Sequence, residues 1–174
     1  MSFIKLHGLP WMPQTAYWNQ TSVTIHTVVA YFRKNGELCH KRLVFVSDEI
    51  SHSSGTVMAF IDKLVHALKA INNHFTVIHY WTDSPSSQYR NRFIFYLVAN
   101  HAVFNGLSRR WNYFEVGHGK GPCDGLGGTT KRLADQAVRQ GNAVIQDLES
   151  FCHGPLNQIW PCSIHLCFKR TNQG

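Results

Sequence analysis

A chain of 174 residues with 44% hydrophobic and 16% charged residues can bury one ordinary core; the composition excludes a largely disordered protein and gives a length prior of one domain. Seventeen Lys and Arg against ten Asp and Glu leave a net charge of +7. That excess favours a polyanionic partner, because each phosphate contact releases condensed counterions, although a basic surface that only keeps the chain soluble carries the same charge.

Cys39, Cys123, Cys152, Cys162 and Cys167 are odd in number and irregularly spaced, which gives little support to a secreted disulfide framework and points to a reducing, intracellular compartment. Residues 1–13 lack the apolar run of a signal peptide, and no stretch approaches about 18 apolar residues. The chain therefore reads as soluble, with no membrane partner. Nothing in it specifies an oligomeric state.

In chain order, Val23 to Phe32 is β-branched and aromatic, and Lys34-Asn35-Gly36 is a hairpin signal because Asn-Gly accepts positive φ, with Leu43 to Val46 as the returning strand. Val57, Phe60, Ile61, Leu64, Val65 and Leu68 recur at helical spacing behind a Ser54 cap, predicting a helix to about Ala70. Phe75 to Trp81 reads as a buried strand ending at Asp83-Ser84-Pro85. Ser86 to about Phe104 follows as a second helix with Tyr89, Phe93, Leu97 and Val98 inward. Trp111 to Val116 is a further strand, Gly117 to Gly128 a glycine-rich loop, Thr129 to Gln140 a third helix and Asn142 to Phe151 another. This alternation predicts an α/β domain over 18–151, with residues 1–17 as an N-terminal extension and 152–174 as a tail that ends irregularly or as a strand.

Asp83 stands where a strand ends, the place where ligands gather in open α/β sheets, but Asp is equally a favoured helix cap. The segment from Gly117 to Gly128 packs six glycines into twelve positions before a helix, which suits close approach to a phosphate; its spacing is not that of a P-loop. Asp124 lies in that segment, so Asp83 and Asp124 are expected to meet at one sheet edge and to bind Mg²⁺ or Mn²⁺ as catalytic carboxylates. Lys120, Lys131, Arg132 and Arg139, with Arg90 and Arg92 at the start of the second helix, are the candidate phosphate contacts. Cys152, His153, Cys162, His165 and Cys167 fit no usual zinc-finger spacing, and Cys123 has no evident partner base beyond His118.

The stretches WTDSPSSQYRN (Trp81 to Asn91) and WNYFEVGHGKGPCDGLGGTTKR (Trp111 to Arg132) resemble a family of animal proteins similar to DDE-type transposase catalytic domains. The similarity extends weakly upstream through Trp18-Asn19-Gln20-Thr21 to Asp62. It implies an RNase H-like mixed sheet flanked by helices, ancestral Mg²⁺-dependent cleavage and strand transfer of DNA, a nuclear location, and metal-binding roles for Asp83 and, less directly, Asp124. Relatives carry a further Asp on a first strand upstream of the Trp-Asn-Gln match. Here the only acid before Asp48 is Glu37, so the resemblance implies a truncated domain that lacks its first strand and is inactive, or a domesticated DNA- or chromatin-binding module.

Overall fold

The computed structural model describes residues 3–11, 23–51, 53–84, 86–115, 121–145, 147–152 and 164–168. Its elements run β1 (Phe3–Trp11), β2 (Val23–Lys34), β3 (Glu37–Ser47), α1 (Ser54–Ile71), β4 (Val77–Thr82), α2 (Arg92–Asn105), β5 (Ser108–Tyr113), α3 (Pro122–Arg139), α4 (Leu148–Phe151) and β6 (Ile164–Phe168). The fold is mixed α/β, with strands hydrogen-bonded in the order β5-β4-β1-β2-β3-β6. The chain divides into two compact units, one of residues 1–6, 30–40 and 51–120 and one of residues 7–29, 41–50 and 121–174.

In the first unit, β1 and β5 both run parallel to β4, with Leu6 in register with Thr82 on one side and Tyr113 with Thr82 on the other. The expectation of a sheet without its first strand is therefore corrected: β1 precedes the hairpin, inside the segment read as an extension. Its sequence, FIKLHGLPW, mixes Gly, Pro and polar residues without the clean alternation that marks a strand. The hairpin turn forms as Asn-Gly predicts, with φ of 53° at Asn35 and 85° at Gly36.

The buried residues of α1 are Val57, Phe60, Ile61, Leu64, Val65 and Leu68, the six positions that periodicity selects, and the Ser53 hydroxyl caps it by accepting from Thr56 N–H at 3.3 Å. By contrast, α2 starts six residues later than expected. Residues 86–89 form a turn, and Asn91 is the cap, its Oδ1 accepting from Phe93 N–H at 3.0 Å and Ile94 N–H at 3.2 Å. That start fixes the helical phase. Ile94, Leu97 and His101 face inward, and Phe93 is exposed rather than buried. Gly106, at φ 66°, stops the helix in the left-handed conformation that glycine tolerates best.

In the second unit, β6 pairs in parallel with β3 from Leu43 to Ser47, so the tail does contribute a strand. Leu43, Val44, Phe45 and Val46 are fully buried in succession, the mark of a strand covered on both faces. The glycine-rich segment is not all loop, because α3 begins at Pro122, a residue preadapted to the first helical position. Among the described residues after Gly141, at φ 71°, the helical element is the single turn Leu148–Phe151; residues 142–145 do not form the start of the longer helix expected from Asn142.

Candidate functional site

Asp83 immediately follows Thr82, and two further contacts anchor this strand end. Thr82 O accepts from Phe114 N–H at 3.0 Å, and Thr82 Oγ1 accepts from Trp111 Nε1–H at 2.9 Å. Aromatic residues of the same strand ends pack on one another. Trp81 and Phe114 rings lie 5.4 Å apart, the Tyr113 hydroxyl donates to Tyr89 O at 2.7 Å, and burial raises the pKa of Tyr113. Leu6 is the β1 residue in register with Thr82, and β1 carries no carboxylate from Phe3 to Trp11. Glu115, exposed and two residues beyond Tyr113, is the acid that follows the neighbouring strand β5.

Asp83 belongs to the first unit and Asp124 to the second. Asp124 sits in the first turn of α3, where its Oδ2 accepts from Gly121 N–H at 2.7 Å, while its own N–H donates to the Gly121 carbonyl at 3.0 Å. An acid there is favoured by the helix dipole and by the unpaired N–H groups of the first turn, so this carboxylate has a structural role. Among the described residues, no group of three or more His, Cys, Asp or Glu could hold a metal ion.

The glycines of α3 divide by face. Its inner side is Cys123, Leu126, Thr130 and Ala134, and the Thr27 hydroxyl on β2 donates to Cys123 O at 3.1 Å. A Cβ on Gly127 would lie 3.6 Å from Thr27 Cγ2. Gly125 and Gly128 are exposed, with open space where a Cβ would stand. Arg132 and Arg139, seven residues apart and both exposed, continue on the side that bears Gly125. The result is a helix face with bare backbone at its positive end and two guanidinium groups further along. Lys131 is half-buried beside it, and burial lowers its pKa.

Since neither glycine has positive φ, Gly125→Ala and Gly128→Ala are each expected to raise stability by about 0.5–1 kcal/mol, read as the urea midpoint. A loss of stability would mean that the backbone there is strained.

Of the other basic residues, Lys120 lies outside the described residues, and Arg90 and Arg92 are exposed around the start of α2. That helix has no acid in its first turn, so two cations stand at its positive end uncompensated from within the helix, an arrangement that favours an anion. The structure adds a polar cleft that the sequence did not suggest. Arg33 and Lys34 of the hairpin, with Lys69, Asn72 and His74 at the end of α1, line it without a carboxylate. Lys69 also donates to Asn105 O at 2.8 Å, and Arg33 to Gly36 O at 2.8 Å.

Cys123 is a fully buried free thiol, suited to packing rather than attack on a substrate. Cys152 is disulfide-bonded, so an odd cysteine count has not excluded a bridge, and its sulfur cannot serve as a zinc thiolate. His153 and Cys162 lie outside the described residues, as do the side chains of His165 and Cys167. No helix of the described residues is long and apolar enough to cross a membrane.

No curated protein and no solved structure matches the chain. A family model does match, over residues 12–173, and the chain accordingly belongs to the family described as a domain of unknown function (DUF8701).

Proposed function

We propose that this domain is a transposase-derived, RNase H-like nucleic-acid-binding domain in which metal-dependent phosphodiester chemistry has been lost. The observation that carries the reading is β1: a strand hydrogen-bonded between β4 and β2, upstream of the Trp18-Asn19-Gln20 match, with no carboxylate on it. In the family that the sequence resembles, the first catalytic Asp is carried on a first strand upstream of that match, the place in the chain that β1 occupies here. A strand retained without its acid is what an ancestral catalytic sheet looks like once cutting is no longer required.

The remaining acids do not fit a Mg²⁺ pair. Two-metal cleavage needs carboxylates converging from several elements to hold both ions, whereas no group of three or more His, Cys, Asp or Glu among the described residues could hold a metal, and Asp124 is engaged by the backbone at the start of α3. Binding needs less than catalysis. Exposed Arg132 and Arg139 beside bare helix backbone, Arg90 and Arg92 at the start of α2, and the net charge of +7 supply phosphate contacts without base-reading geometry.

Purified protein incubated with supercoiled and short duplex DNA in Mg²⁺ or Mn²⁺ is expected to give no nicked or joined product. It is also expected to bind both DNAs with an affinity that falls linearly in log salt. Arg132→Glu with Arg139→Glu should reduce the magnitude of that slope by about 2, because each phosphate that a cation neutralises adds about 0.9 to it. Metal-dependent nicking abolished by Asp83→Ala would overturn the loss of chemistry. Absence of binding at low ionic strength would overturn the nucleic-acid reading itself.

A further inference from the structure

α2 presents a surface that neither its packing nor the nucleic-acid reading accounts for. Its inner side is Ile94, Leu97 and His101; on its solvent side Phe93, Phe95, Tyr96 and Phe104 are each a little over half exposed, and Val103 is 81% exposed. Phe93, Tyr96, Asn100, Val103 and Phe104 follow the three- and four-residue spacing of one helical stripe, with Phe95 on its shoulder. The stripe is already organised, with Tyr96 and Phe104 ring centroids 6.4 Å apart and the Arg92 guanidinium 4.9 Å from the Phe93 ring. Isolated apolar side chains on a surface are ordinary, but five on one 14-residue helix form a contiguous patch, and such patches mark interaction sites.

We infer that this face of α2 pairs with the same face of a second copy of the chain. Area supports this occupant. Four half-exposed aromatic rings and Val103 offer about 500 Å² of apolar side chain, taking an aromatic residue as about 200 Å². Two copies then remove about 1,000 Å², the threshold for a specific interface. Charge supports it as well. α2 contains no Asp or Glu, and its single Arg is Arg92 at the first position, so the stripe meets itself without like-charge repulsion although the chain carries +7. A polyanion would find a cation only at the Arg92 end of the stripe and none from Phe93 to Phe104.

A two-fold interface is isologous, each residue meeting its counterpart across the axis. Asn100 lies midway between Tyr96 and Val103–Phe104. An antiparallel crossing centred on it sets Tyr96 of each copy against Val103 and Phe104 of the other. The Asn100 amide nitrogen donates to Tyr96 O at 3.0 Å, leaving the residue compact at the crossing point.

Sedimentation velocity from about 1 to 100 µM tests the pairing independently of any nucleic acid. The protein is expected to shift from monomer to dimer with concentration, and Val103→Glu to weaken self-association at least tenfold. At 1 µM, circular dichroism and Tm of that variant should match the parent, because Val103 supports no core. Leu38→Glu, at an exposed apolar residue of the hairpin, should leave dimerisation unchanged. Asn100→Cys should form disulfide-linked dimers under mild oxidation beyond any seen in the parent, because a residue on the axis meets itself. A monomer throughout the range overturns the inference, as does a dimer indifferent to Val103→Glu. A monomer that co-sediments with phosphatidylcholine vesicles overturns it in favour of a lipid surface.

Discussion

Phe60→Ala is expected to destabilise the protein by about 3–5 kcal/mol, a large part of the about 5–15 kcal/mol that holds a domain of this size together. Phe60 is 1% exposed, and Ile61 and Leu64, also on the inner side of α1, are fully buried, as is Ile78 on β4. Removing the ring forfeits its transfer free energy and leaves a cavity that such close packing cannot refill. Urea denaturation gives the loss directly, and Leu38→Ala on the exposed hairpin should cost within about 0.5 kcal/mol. A cost for Phe60→Ala below about 1 kcal/mol would show that α1 does not pack through this face.

Acid should unfold the protein through His101. This residue has no exposed surface, its Nδ1 lies 3.1 Å from Leu107 O and its Nε2 3.0 Å from the Tyr80 hydroxyl. A carbonyl only accepts, so Nδ1 carries the proton and neutral Nε2 accepts from Tyr80. Protonating Nε2 would charge a buried ring and remove the acceptor of a buried hydroxyl. Burial, chiefly, lowers the pKa of His101 despite the opposing hydrogen bond to Leu107; Arg109 and Lys69 lower it further. Burial and Arg110 lower that of His79. A folded pKa below the unfolded value of about 6.5 means that the unfolded chain binds more protons as pH falls below that value. Stability is therefore full above about pH 6.5 and declines below it, until the folded pKa is reached, by at most about 1.4 kcal/mol per pH unit for each group. His101→Gln, which keeps a donor and an acceptor but does not titrate, should flatten the decline between pH 6.5 and 5. An unchanged slope in that variant would remove His101 from the account.

Where local chemistry dominates, the sequence alone determined the structure. The six buried positions of α1 follow from apolar spacing, the hairpin turn from Asn35-Gly36, and the α/β class from the alternation of β-branched and helical runs. The candidate acids and arginines were legible as residue types near strand and helix ends. Their engagements were not. Asp124 was legible as an acid ahead of a helix, but its bond to the backbone N–H of Gly121 was not. The phase of α2 depended on which polar residue capped it; Asn91 won over Asp83 and Ser84, turning Phe93 outward and creating the aromatic stripe. β1 and β6 lack strong patterning because strand pairing, a long-range interaction, places them beside β4 and β3. The cleft at Arg33, Lys34, Lys69 and His74 joins residues more than thirty positions apart, a proximity that only the tertiary fold creates.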